Sequence, residues 1–452
     1  VFSKKNFPIA GCLMTLWGSS CGSEAPQNAS QNTPPPSPVA QNPLLVQTAP
    51  GQGTTNPAEI FGEGQEAPKP YVPALAELAL TEVSVGLPTS GTWIGYPLLA
   101  DFTGDRRADL VVSNREEDGY NTWQAPAEGQ SGWTLRVKEL PRDLGYGPAR
   151  AADLNSDGLL DLVISAHSDG VRLYLGDGQM LWKQAPGKIE NPNLSLDVAV
   201  GNLNRDGHPD VVAIGHFEGG LGIYLGDGKG GLQRLAQSAD LLTRKVFGRR
   251  VELVDMNADG SDDIIAATDR GLKVFFTQPG ETLSWKEASA GLPVPLIGNT
   301  VYGLAVGDFV AGGHPEIAAA IMPDSSKPKG ERHSFGIYAW DKDKNTWTLC
   351  ETGISRDDRY RDLVAGDLNK DGHLDLVASS IENGAAIYLG DGKGGFTVRG
   401  RIPGILGRGR VALGDINADG WLDFAVAVPA TKESPEQGGV RAFLNSEQVW
   451  KP

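Results

Sequence analysis

Short apolar runs recur along the body of the chain, separated by polar turns rich in Gly and Asp. Each cycle reads alike. A first run leads into an acidic turn, as in "LVAGDLN", "VALGDIN" and "VELVDMN". A second follows at once, as in "LDLVIS", "PDVVAI", "DDIIAA", "LDLVAS" and "LDFAVA". A third ends on "YLGDG" in three cycles and reads "LKVFF" in another, and a fourth comes after a Gly-rich turn ("GFTVRG", "TWTLCE", "WKEASA"). No helical period is visible in the body. The first two runs alternate little, the mark of strands buried on both faces. Four short strands per cycle, linked by Gly/Asp turns, predict one blade of a propeller.

The nine-residue acidic turns count the blades. They begin at Asp101, Asp153, Asn202, Asp255, Asp308, Asp367 and Asp415, and the seven copies predict an all-β, seven-bladed β-propeller over residues 73–452. An open ring would leave sheet edges exposed. The last cycle has three clear strands, and only "SEQVWKP" follows them. Before the first cycle lies "ALTEVSVGLP", which matches "WKEASAGLP" at the end of the fourth cycle. Residues 78–85 are therefore expected to supply the outer strand of the last blade, paired with 438–444.

In "DLNKDGHLD" positions one, three, five and nine carry oxygen side chains, and Gly sits at six. Oxygen donors around a glycine turn suit a hard cation, with Ca²⁺ the usual one. Position seven holds Leu159, His208, Ser261, His373 and Trp421, so a ligand from there would be its backbone carbonyl. An EF-hand would need Glu at position twelve and helical flanks. Position twelve is Ile164, Ala213, Ala266, Ala378 and Val426, and both flanks read as strands. Five loops are complete: those at Asp153, Asn202, Asp255, Asp367 and Asp415. The loop at Asp101 is a weaker candidate, with Thr103 at three and Arg106 in place of Gly. At Asp308, Val310 and Gly312 replace donors, which predicts a metal-free turn.

Net charge is −16, and the loops account for it. Setting aside the 17 Asp in the six candidate loops takes the 56 acids down to 39, against 40 bases. The acidity reads as a demand for metal rather than an advertisement for a basic partner, and nothing points to nucleic acid. Three cysteines, Cys12, Cys21 and Cys350, build no disulfide framework. Cys350 lies in the strand-like "NTWTLCETG" and is expected as a buried small hydrophobe.

The first residues form another pattern. "SKKNFPIAGCLMTLWGSSCGS" has two Lys, a short apolar run and small residues before Cys21. Residues 1–21 read as an export signal too short to span a membrane. The small residues before Cys21 resemble a bacterial lipoprotein signal, in which that Cys is lipidated; "IAGC" at Cys12 is the alternative, and a simply cleaved signal a third. Residues 22–72, rich in Pro, Gln and Asn, read as a disordered tether. The expected location is outside the cell, anchored at a bacterial surface or outer membrane through the lipid, or free.

The loops from "DLNSDGLLD" to "DINADGWLD", with the "YLGDGKGG" turns, resemble the FG-GAP/VCBS repeats of integrin-α-like propellers over about residues 78–447. The resemblance implies Ca²⁺ in hairpin loops on one face: five ions, and a sixth if the Asp101 loop is filled. Carried over by position, the ligands are Asp153, Asn155, Asp157 and Asp161 in the second blade. The third uses Asn202, Asn204, Asp206 and Asp210, and the fourth Asp255, Asn257, Asp259 and Asp263. The sixth uses Asp367, Asn369, Asp371 and Asp375, and the seventh Asp415, Asn417, Asp419 and Asp423. The weaker first loop would use Asp101, Thr103, Asp105 and Asp109. The family includes adhesion proteins, lectins and a few sugar lyases.

Binding is expected over catalysis. Three of the six His sit at loop position seven; His167, His216 and His333 are scattered, and no nucleophile motif or phosphate loop stands out. A polysaccharide-acting enzyme is the weakest reading. Long, dissimilar loops are expected on the face opposite the acidic turns, where binding usually resides. Arg249, Arg250, Arg361 and Arg410 come five or six residues before their loops, at the start of the innermost strands. With Tyr302, Tyr360 and Trp93 nearby, they are expected to ring the channel mouth and to take an anionic or sugar ligand. The chain thus reads as a calcium-stabilised surface module for a protein or polymer partner, or as a calcium-dependent lectin. Dissimilar loops favour the former.

Overall fold

The computed structural model describes residues 75–451 apart from 115–118, 137–139, 141–146, 167–169, 186–193, 217–220, 236–247, 279, 281, 295–300, 311, 324–325, 329–331, 382, 406, 408 and 431–437. The signal segment, Cys12, Cys21 and the tether lie outside the described residues.

Seven antiparallel sheets of four strands each follow one another along the chain. The innermost strands are Leu98–Ala100, Ala149–Ala152, Leu194–Gly201, Gly248–Val254, Val301–Gly307, Tyr360–Gly366 and Arg410–Gly414, in blades 1 to 7. The second strands are the best buried. Asp109–Asn114, Asp161–Ala166, Asp263–Thr268, Glu316–Ile321, Asp375–Ser380 and Asp423–Val428 are buried at every position. Each is covered on both faces by a neighbouring blade, which is why its apolar residues run without alternation.

The core is divided accordingly. Seven hydrophobic clusters lie between successive blades, and one joins Trp93, Leu110 and Trp123 of the first blade to Ala412, Ala425 and Ala442 of the last. Burying side chains such as Ile164, Val212, Ile265 and Ile387, all at 0% exposure, contributes about 1.5–3 kcal/mol each. The outer strands are shorter and more exposed. Cys350 sits on one of them, Thr346–Cys350, and is half-buried rather than buried. Desolvation, with the nearby Glu316 charge, raises its thiol pKa.

The last sheet is completed from the other end of the chain. Thr81 pairs with Leu444 and Glu82 with Phe443. Val83 N–H donates to Ala442 O (2.8 Å), and Trp133 Nε1 donates to Val83 O (2.8 Å). The strand is shorter than the eight residues expected. Its upstream part turns to blade 6, where Leu78 N–H donates to Arg401 O and Arg401 N–H to Ala76 O, 3.0 Å each. After the last long strand the chain ends in a single helical turn, Glu447–Trp450, with Val449 buried.

Candidate functional site

Each nine-residue loop joins an innermost strand to a second strand, so all seven emerge on one face. In blades 2, 4, 6 and 7 the first Asp accepts the backbone N–H of position five at 3.0–3.1 Å and that of the position-six Gly at 2.7–3.0 Å. The position-five Asp accepts the N–H of position seven at 2.8–2.9 Å in all five complete loops. Position four takes a left-handed backbone: Ser156, Arg205, Ala258, Lys370 and Ala418 have φ of 57–62°. The Gly at six does so too, and there it avoids the steric cost.

The ninth residue acts as a clasp. Asp161, Asp210, Asp263, Asp375 and Asp423 are wholly buried. One oxygen accepts the N–H of loop position two, the other an N–H at the end of the third strand, all within 2.7–3.0 Å. Burial raises these carboxyl pKa values, with the loop's other Asp charges adding and the backbone donors opposing. Asp210 and Asp375 reach about 6, Asp263 and Asp423 about 7.

This donor set fits a hard cation in kind. It is all oxygen, and each carboxylate oxygen that accepts one N–H keeps a second lone pair; in blade 4 one of these acids, Asp259, is already paired with Arg205 of the neighbouring loop at 2.7 Å. Asn202 adds an independent sign: its Oδ1 is buried and accepts no hydrogen bond from the described residues. Among the described residues, no three acidic, His or Cys side chains already converge as a cage. The ligand groups are spread along the loop and partly turned to its own backbone.

The two irregular loops differ for visible reasons. At Asp101 the backbone keeps the turn with the special residues exchanged: Gly104 takes φ 74° at position four and Arg106 takes φ 72° at six. Arg107 pairs with Asp105 at 2.6 Å, so this loop carries its own cation. At Asp308 the clasp is Glu316, whose Oε2 alone accepts the N–H groups of Phe309 (2.7 Å) and Val310 (3.0 Å).

On the opposite face, the starts of the innermost strands form the second cluster. Register shifts pass over Leu196, Arg249, Tyr302 and Arg361 in blades 3 to 6. A bulged residue is thrown off the ladder and re-aimed. Arg249 and Arg361 both lie over the Tyr302 ring, at 4.4 and 4.3 Å. Arg250 and Arg410 likewise share Tyr96, at 4.4 and 4.3 Å. All four arginines expected at the mouth are therefore brought together, with Tyr302. Tyr360 and Trp93 are not part of it. Tyr360 is fully buried against Phe335, and Trp93 is buried edge-on to Trp123, because both face the apolar gap between blades.

Sequence reasoning missed the acids of this cluster. Asp197 approaches Arg250 at 3.6 Å and accepts Val251 N–H at 3.0 Å. Asp362 repeats the arrangement on blades 6 and 7, with Arg410 at 3.9 Å and Val411 N–H at 3.1 Å. Glu252 lies between Arg150 (3.3 Å) and Arg250 (3.5 Å), and burial raises its pKa despite both partners. Register could have found two of them, Asp197 and Asp362: with Tyr96, Arg250 and Arg410 they stand five residues before their loops.

The model of the FG-GAP-like repeat matches residues 153–213, 202–266 and 367–426. Each match starts at the first residue of one loop and ends just past the next. The protein is a seven-bladed β-propeller that carries FG-GAP-like repeats at these positions. Comparison with curated proteins finds no match. Among solved structures, the chain is similar to the BBS1N propeller seen in complex with ARL6DN, in a mercury-soaked crystal, at 10% identity over 83% of this chain and 99% of that one, with TM-score 0.51. A lead-soaked crystal of the same complex gives 11%, 82%, 98% and 0.50. An Agrocybe aegerita lectin that recognises non-reducing terminal N-acetylglucosamine gives 14% identity, 83% of this chain, 96% of that chain and TM-score 0.47. At such identities the likeness concerns the fold alone.

Proposed function

We propose that the protein is a calcium-stabilised binding module, exported and displayed at a bacterial surface, which holds a protein or polymer partner on the face opposite its acidic loops. The observation that carries this reading is the division of labour between the two faces. One repeats a cation-suited loop in five blades; the other gathers a cluster of arginines at the starts of the innermost strands, next to connections whose sequences differ from blade to blade. A rigid ring with variable loops is a scaffold for recognition. Calcium would be held by positions one, three, five and nine of the complete loops, and when bound it supplies positive charge among the crowded carboxylates. The chain's own part is to fix those oxygens with its backbone N–H groups.

Elemental analysis of the purified protein tests the metal half, with five calcium ions per chain expected. A glycan array and a panel of surface proteins, each read with and without chelator, test the binding half. Retention of one protein or polymer only in calcium is the expected result; sugar-specific retention would make the module a lectin. Turnover of a polysaccharide without lasting retention would reject a binding role.

A further inference from the structure

We propose that Arg205, at position four of the blade 3 loop, guards the blade 4 loop: its guanidinium already occupies the Asp259 carboxylate, so the loop takes calcium only in competition with it, and more weakly than the loops of blades 2, 6 and 7. The inference rests on the calcium reading above and ranks the sites within it.

Neighbouring loops are seated against one another. Asn202 N–H donates to Asp262 Oδ2 (2.7 Å) and Asp262 N–H to Asn202 O (3.1 Å), so the first residue of the blade 3 loop is tied to the eighth of the blade 4 loop. Arg205 then lies beside positions five to seven of the blade 4 loop. Its Nη2 donates to Asp259 Oδ1 and its Nε to Ser261 Oγ, at 2.7 Å each. Ser261 is wholly buried, which makes its hydroxyl a fixed anchor. Two N–H groups held at once fix the plane of the guanidinium.

Asp259 Oδ1 is thereby filled. A carboxylate oxygen offers two lone pairs. One accepts Ser261 N–H (2.9 Å) and the other accepts Arg205. In blades 2, 3, 6 and 7 the matching oxygen accepts the position-seven N–H and, among the described residues, pairs with no Lys or Arg. A cation in blade 4 would meet a positive charge beside the carboxylate it needs. The pair is not locked away: Arg205 and Asp259 keep 41% and 34% side-chain exposure. A contact this exposed is weak enough to yield to a divalent ion.

Blades 6 and 7 repeat the placement with another outcome. Lys370, again at position four, has its Nζ 4.4 Å from the Trp421 ring centroid, and Trp421 is position seven of the blade 7 loop. The aromatic face holds that cation, and Asp419 Oδ1 keeps its second lone pair. Position seven therefore decides where the neighbour's cation goes: Ser261 anchors Arg205 onto Asp259, whereas Trp421 retains Lys370. Ser156, Ala258 and Ala418, at position four of the remaining complete loops, carry no charge. Blade 4 is thus the loop that answers to a higher range of calcium.

The test titrates calcium against a chromophoric chelator in the metal-stripped full chain at low salt. Every protein carries Asp206→Asn, which disables the blade 3 loop to which Arg205 belongs. The constant lost on adding Asp255→Asn, and independently Asp259→Asn, is that of blade 4. Arg205→Gln is expected to tighten this constant by about threefold or more, with the gain shrinking at high salt. A gain in affinity is an effect that misfolding would not imitate. Lys370→Gln makes the same change of charge and is expected to shift no constant by more than about twofold. An unchanged or weaker blade 4 constant in Arg205→Gln, or an equal gain from Lys370→Gln, overturns the guard while leaving the calcium reading intact. Absence of bound calcium in all of the proteins overturns both.

Discussion

Removing calcium should lower the melting temperature of the propeller by well over ten degrees. Five loops carry the complete donor set; the blade 1 loop is served by Arg107 and the blade 5 loop by Glu316. At a calcium level a hundredfold above its dissociation constant, each site stabilises the folded state by about 2.7 kcal/mol, or ~13 kcal/mol for five. Unfolding entropy near 60 °C is about 2.1 cal/mol/K per residue, hence ~0.8 kcal/mol/K for a propeller of this size. The ratio is a shift of about 17 °C. Calorimetry in millimolar calcium and in excess EDTA measures it. Asp371→Ala, at the exposed fifth position of the blade 6 loop, removes one site and should take away about a fifth of the shift, with one ion fewer by elemental analysis. Equal melting temperatures in the two buffers, with no calcium in the protein, would refute the reasoning.

Three further outcomes follow from the packing. Gly86 has φ +90°, and a Cβ there would meet Trp133 O at 2.4 Å; Gly86→Ala should cost at least ~1–2 kcal/mol and expose residues 75–85 to limited proteolysis. Asp197→Asn leaves the buried Arg250 without its axial carboxylate and should cost ~3–5 kcal/mol by chemical denaturation, whereas a change below ~1 kcal/mol would mean that the pair is not a clamp. Burial raises the Glu316 pKa above 4.5, so the folded state disfavours its ionised form, and its contribution to stability falls as pH rises from the unfolded pKa through the raised one. Glu316→Gln cannot ionise; the stability of wild type relative to the variant should therefore decline as pH rises from the ordinary carboxylate value through the raised one and then level off, and a difference that is flat or rises with pH would contradict the assignment.

The blades were legible because each repeats one strand–loop–strand unit whose apolar runs have no other use. The turn at Asp101 keeps its backbone although Arg106 replaces Gly, since Gly104 exchanges places with it; a rule based on the position-six Gly alone undervalues that loop. At the mouth the arginines stood out, but their counter-charges did not. Asp197, Glu252 and Asp362 sit within apolar inner strands and become partners only when blades close into a ring. Tyr360 was misplaced for a related reason: it immediately precedes the bulged Arg361, and along a strand a single step is the difference between core and channel. The closing strand was placed by its likeness to the fourth cycle, yet its shortness depends on the crossing to Arg401, which no local pattern announces.

Thr81 and Glu82 meet Leu444 and Phe443, so the ring has a seam where early and late portions of the polypeptide zip together. Synthesis proceeds from the N-terminal side, and the early strand has to wait, unpaired, while some 360 residues arrive. Six blades can assemble as they emerge; the circle shuts only when Gly439–Leu444 is delivered. Premature termination anywhere before that segment leaves a horseshoe with two sticky sheet edges, a species fit for aggregation or quality-control destruction.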